Sequence, residues 1–171
     1  MSEPKKTPEL LAEQIILDDD GVTWWQDNKR TTEEKIMEDL KTNSSNGATL
    51  TSRLSTKMTV RYGLLIGYKL VKGGLKYAQL RRFFDAMKEL ANIKNFEERE
   101  EKLFLFQIQL VNGLARQEQL KPFVKVLTGI ISNEWIKSEP DFQRLLDFVD
   151  AIVAYFSYLG QTGEKDQTQE N

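Results

Sequence analysis

Met58-Thr59-Val60-Arg61-Tyr62-Gly63-Leu64-Leu65-Ile66-Gly67-Tyr68-Lys69-Leu70-Val71 is the stretch on which the fold class turns. Met58, Val60, Tyr62, Leu64, Ile66, Tyr68 and Leu70 alternate with period two, which taken alone describes a strand. Two features oppose that reading. Gly63 and Gly67 would sit isolated in a strand interior, where they weaken pairing, and no second strand-like run follows to supply a partner. On a helix the same glycines, four apart, share one face and let a neighbouring backbone approach closely. The stretch is therefore expected to be helical and to be broken by Gly73-Gly74.

Downstream the helical signal is cleaner. From Lys76 to Ile93, Tyr77, Leu80, Phe83, Phe84, Met87, Leu90 and Ala91 fall on one stripe. Phe96 to Arg116 opens with a charged turn and becomes apolar almost all round from Leu103 to Val111, as in a helix that is central to a bundle or shared with another subunit. Gln119 to Ile136 gives a further helix with Pro122 in its first turn and Lys121 and Lys125 outward. The last helix starts at Ser138-Glu139-Pro140-Asp141 and runs to Gly160, a C′ candidate.

Upstream, Thr7-Pro8-Glu9 caps a short helix that Asp18-Asp19-Asp20-Gly21 is expected to end as a turn. Thr31-x-x-Glu34 has the capping-box pattern and opens a second one. Between them, Trp24-Trp25 is expected to be partly buried rather than to stack on bases. The expected architecture is all-α, a compact bundle of about five to six helices with a short helical N-terminal extension. Residues 1–56 form that extension with a Thr/Ser/Asn-rich loop at 42–56, residues 57–160 the main helical domain, and residues 161–171 a disordered tail.

Composition narrows the chemistry. With neither cysteine nor histidine among 171 residues, disulfides, thiolate zinc sites and cysteine nucleophiles are excluded, and the commonest general base and metal ligand are missing. No phosphate-binding glycine loop is present, because Gly63-x-x-x-Gly67 lacks the lysine of a P-loop. Asp18 to Asp20 lacks calcium-loop spacing, and Asp147 and Asp150 read as helix surface rather than an acid/base pair. The expectation is a non-enzyme with no cofactor and no metal. A polar N-terminus without a secretory core and an apolar stretch too short for a bilayer point to a cytoplasmic protein.

The formal net charge of −2 is unevenly spread. Residues 1–52 carry 6 basic and 11 acidic side chains, residues 53–94 carry 10 and 2, and residues 95–171 carry 8 and 13. A +8 block inside a mildly acidic chain focuses a positive field on a polyanion or an acidic protein surface; a solvated basic face is the alternative. On the helix after Gly74, Arg81 and Lys88 project together beside Tyr77. Arg81 is also placed to pair with Asp85 at i,i+4.

Gly74-Leu75-Lys76-Tyr77-Ala78-Gln79-Leu80-Arg81-Arg82-Phe83-Phe84 resembles a signature of the small, inner-filament subunit of type III-A CRISPR Csm effector complexes. Leu114-Ala115-Arg116 is similar to that family's small residue plus arginine after the third core helix. The closing run from Phe142 through Ala151-Ile152-Val153-Ala154-Tyr155-Phe156 to Gly160 is similar to its C-terminal helix. The resemblance spans roughly residues 60 to 160.

It implies a non-catalytic helical subunit present in more than one copy. Its partners would be the CRISPR RNA, the target RNA, the backbone and large subunits, and itself, with no membrane. Support of a guide–target duplex without base readout calls for Lys and Arg spaced along a surface. Arg81 and Arg82, then Lys76 and Lys88, are the candidate RNA contacts, with Arg116, Lys121 and Lys125 secondary. Two other readings stay open: a helical protein-interaction adaptor using the +8 segment and the Leu103 to Val111 helix, and a helix-turn-helix regulator turning at Gly73-Gly74.

Overall fold

Thr56–Lys72 form one unbroken α-helix, so the period-two alternation does not make a strand. Every residue from Tyr62 to Tyr68 is buried. A helix enclosed on nearly all sides needs no polar face, so alternating apolar residues are no obstacle to it. The computed structural model describes residues 6–16, 18–43 and 49–160. Among these it contains nine α-helices and no strand: α1 Pro8–Ile15, α2 Asp19–Asn28, α3 Glu33–Thr42, α4 Leu50–Arg53, α5 Thr56–Lys72, α6 Tyr77–Ala91, α7 Phe96–Arg116, α8 Lys121–Ser132 and α9 Glu139–Leu159. A 3-10 turn, Glu118–Leu120, leads into α8. The all-α expectation holds, but nine helices exceed the expected five to six.

Two local readings are corrected. Asp18 to Gly21 is not the turn that ends the first helix. Asp18 caps α2, its Oδ2 accepting from the Gly21 N–H at 2.7 Å, and Asp19 and Asp20 occupy the first turn, where the helix dipole favours negative charge. Likewise the cap of α3 is Thr32, whose hydroxyl accepts from the Lys35 N–H at 3.3 Å, rather than Thr31. One residue of phase separates two adjacent threonines, and capping by Thr32 places Lys35 instead of Glu34 at the third helical position. Part of the expected 42–56 loop is α4; residues 44–48 and the 161–171 tail lie outside the described residues.

The largest interface in the molecule joins α5 to α9, and the two run parallel. Gly63 lies against Ala151 and Gly67 against the backbone of Ile152 and Phe156, so a side chain on either glycine would collide. These are the glycines expected to permit a close approach, and the approach exists. Around this pair, α6 packs on α9 and α7, α8 on α7, α3 and α5, and α1 on α5 and α9. One apolar core runs through all of them. It includes Leu11, Ala12, Trp25, Ile36 and Leu40 from the N-terminal helices.

The α5–α6 turn sets the position of the basic surface. Gly74 adopts φ +80°, the Leu75 N–H reaches the Leu70 carbonyl (3.2 Å) and the Gly74 N–H reaches the Val71 carbonyl (3.0 Å). That is a Schellman closure, and its apolar contact is supplied by buried Leu70 and Leu75. A positive φ suits glycine because it has no Cβ. The turn folds α6 back along the α5–α9 pair, where Tyr77 stacks on Phe156 with ring centroids 6.5 Å apart.

Candidate nucleic-acid interface

Helix α6 is amphipathic for a simple reason: Leu80, Phe83, Phe84 and Met87 recur at helical spacing and are all buried. Its N-terminus closes on itself, since the Gln79 side chain accepts from the Lys76 N–H at 3.1 Å. Gln79 thus caps the helix, and Lys76 remains exposed at the cap position. The face away from the core carries Arg81, Arg82 and Lys88, all exposed.

These cations are held differently. Arg81 donates from Nε to Asp85 (3.0 Å) and from a terminal nitrogen to the Tyr77 hydroxyl (2.8 Å). The pairing with Asp85 expected at i,i+4 is therefore present, in an exposed setting where solvent screens it and it adds little. Arg82 has no ion pair among the described residues, and its guanidinium lies 5.3 Å from the Phe83 ring centre. Lys88 sits with Nζ 4.2 Å from the Phe84 ring centre. Aromatic faces steady both charges and leave their donors open to solvent or a ligand.

The remaining cations of the +8 segment behave less uniformly than the count suggests. Arg53 donates to the carbonyls of Leu40 and Lys41 and stacks 4.5 Å from the Trp135 ring centre, so it is part of the core's edge. Lys57 and Arg61 both reach Asp20 (2.9 and 2.7 Å), and Lys72 reaches Glu9 (2.9 Å). Folding lays part of the acidic N-terminal segment over part of the basic middle. Among the described residues Lys69, Lys76, Arg82, Lys88 and Lys94 make no ion pair.

The secondary candidates do not gather on one surface. Arg116 closes α7 three residues after Gly113, whose Cα lies against the Phe83 ring, so the end of α7 meets α6. Lys121 and Lys125 sit on α8 beside Glu34 of α3. The Glu34 carboxyl is lowered first by its own backbone N–H and then, against some desolvation, by those two lysines. They face Glu34 of α3.

Helix α7 is not central. Leu103, Phe106 and Leu110 are buried, while Phe104, Leu105, Ile108 and Val111 form an exposed apolar stripe, the last three each more than half accessible. Nearly buried Arg99 is structural: it binds the Ile93 carbonyl and Glu139, and lies 4.8 Å from the Phe142 ring centre. No group of three or more carboxylates converges as a metal site among the described residues, and no helix there is long and apolar enough to cross a membrane.

A family model described as Csm2 Type III-A matches residues 53–162. The chain belongs to the Csm2 type III-A family. The Csm2 match begins at the end of α4 and takes in α5 to α9, leaving α1 to α3 outside it. No curated protein and no solved structure shows a significant match. Csm2 proteins are the small subunits of type III-A CRISPR effector complexes, in general non-catalytic and structural, which agrees with a chain lacking histidine and cysteine.

Proposed function

We propose that this Csm2 subunit supports the guide RNA–target RNA duplex through sequence-independent phosphate contacts made by the outer face of α6, while bridging other subunits of the complex. One observation carries this reading: Lys76, Arg81, Arg82 and Lys88 are all exposed along α6, and among the described residues only Arg81 has a carboxylate partner. At 1.5 Å rise per residue they span about 18 Å, enough to meet several phosphates of one strand. Arg81 adds a fourth charge held loosely by Asp85. Phosphate contacts carry no sequence information, as expected where pairing supplies it.

The exposed α7 stripe supports the assembly part of the reading, because an apolar surface of this kind marks a protein contact. Self-association and docking to the backbone and large subunits would use it. Such a role places the chain in the cytoplasm with the complex.

Replacing Arg81 and Arg82 by glutamate tests the RNA contact. The fold should survive, since both are exposed and only Arg81 has a side-chain ion pair. Retention of target RNA by the assembled complex should fall about tenfold or more, and the slope of log K against log salt should shrink by about 0.7 to 0.9 for each phosphate no longer neutralised. Unchanged retention would remove α6 from the interface.

A further inference from the structure

We infer that a second phosphate-binding site lies in a cleft between the N-terminal helices and the C-terminal end of α5, taking the backbone of the same RNA strand beyond the reach of α6. This inference rests on the RNA-support reading and adds a site to it. The cleft has a volume of about 450 Å³ and is lined by Glu9, Lys29, Arg30, Glu33, Tyr68, Lys69 and Lys72. Three separate parts of the chain build it: α1, the α2–α3 junction and the last turn of α5. Two of its cations, Lys29 and Arg30, come from outside the Csm2 match, which begins at residue 53.

Charge inside the cleft does not balance internally. Glu9 is already engaged, accepting from the Tyr68 hydroxyl at 2.7 Å and from Lys72 at 2.9 Å. Among the described residues Lys69 and Arg30 make no ion pair, and Lys29 donates only to the neutral Gln26 side chain at 3.2 Å. Glu33 alone stands against those three, and it belongs to the first turn of α3, where the helix dipole already favours a carboxylate. Compensation of helix ends explains some of this: Lys69 and Lys72 lie in the last turn of α5. It does not explain why cations from a different helix junction meet them across a cleft, half-buried Lys29 and Lys69 among them.

Position favours RNA over an acidic protein surface. Lys72 and Lys76 flank the Gly73–Gly74 turn, and four residues of chain span at most about 14 Å. The cleft and the first turn of α6 therefore belong to one end of the molecule, and a strand on Lys76 and Arg81 has the cleft within a few phosphates. A concave site with cations on two walls also suits a single tetrahedral anion better than a flat acidic patch, and the Arg30 fork can grip two of its oxygens.

The full-length chain, titrated at low salt into fluorescein-labelled 20-nucleotide oligouridylate and followed by anisotropy, tests this directly. Arg30→Glu with Lys69→Glu should weaken binding about tenfold and reduce the salt slope by about 0.7 to 1.4, one to two phosphates. Arg30→Gln with Lys69→Gln should act in the same direction with milder change to the fold. Glu33→Gln should tighten binding a few-fold, which loss of structure cannot imitate. Lys41→Glu with Lys137→Glu, exposed lysines away from the cleft, applies the same net-charge change and should shift affinity less than twofold.

If the cleft variants merely track that control while Arg81→Glu with Arg82→Glu weakens binding, the cleft is wrong and the α6 reading stands. If the cleft variants weaken binding and the α6 pair does not, the cleft stands and the α6 assignment falls. If they lose affinity for a polyglutamate peptide but keep it for oligouridylate, the site is an acidic-protein contact and the inference is overturned.

Discussion

Glu9 shows how much a single carboxylate can organise. The Tyr68 hydroxyl and Lys72, acting against partial desolvation, hold its pKa at about 2. A carboxyl depressed in the folded state stabilises fully above its ordinary value near 4.5, and that contribution is lost as pH falls from there towards 2. Replacing Glu9 by glutamine should therefore flatten the acid limb of stability between about pH 5 and pH 2. At neutral pH the cost should be about 1 kcal/mol or less, because the side chain is 35% exposed. Chemical denaturation at stepped pH measures both. Such pairings were illegible beforehand, since Lys72 meets Glu9 63 residues away and Arg61 meets Asp20 41 residues away. Pairs one helical turn apart, such as Arg81–Asp85, can be read from spacing.

At the scale of the element, the α5–α9 seam makes glycine indispensable where propensity argues against it. Alanine is favoured over glycine in a helix by about 1 kcal/mol. At Gly67, however, a Cβ would lie 2.9 Å from the Phe156 nitrogen and 3.1 Å from the Ile152 oxygen, both backbone atoms that cannot turn aside. Gly67→Ala is expected to destabilise by about 1–3 kcal/mol net, the usual penalty of overpacking. It should appear as a lower urea midpoint at unchanged m-value. This seam was legible because four-residue spacing of two glycines has one geometric meaning on a helix. The start of α2 was not, because Asp-Gly serves equally as a turn and as a capped first turn, and burial of Trp25 from the same helix decides between them.

For the whole molecule, the family match and the physical core have different boundaries. Residues 53–162 carry the Csm2 match, but Leu11, Trp25, Ile36 and Leu40 complete the same core. A fragment of 53–162 alone should lose cooperative thermal unfolding, measured by circular dichroism, while the full chain melts in one transition. The excess of helices over expectation has the same origin. Helices of four to ten residues such as α2 and α4 are marginal alone and exist through tertiary burial, so periodicity along the chain under-reports them. The parallel seam also governs the order of assembly. Gly63 and Ala151 are 88 positions apart (151 − 63), whereas α6, α7 and α8 meet neighbours across short connections. Docking α9 closes a long loop, so it should be a late step of folding. Until it docks, the apolar groove along α5 stays open to water. A nascent or damaged chain lacking α9 is thus the form most exposed to aggregation and to quality-control proteolysis.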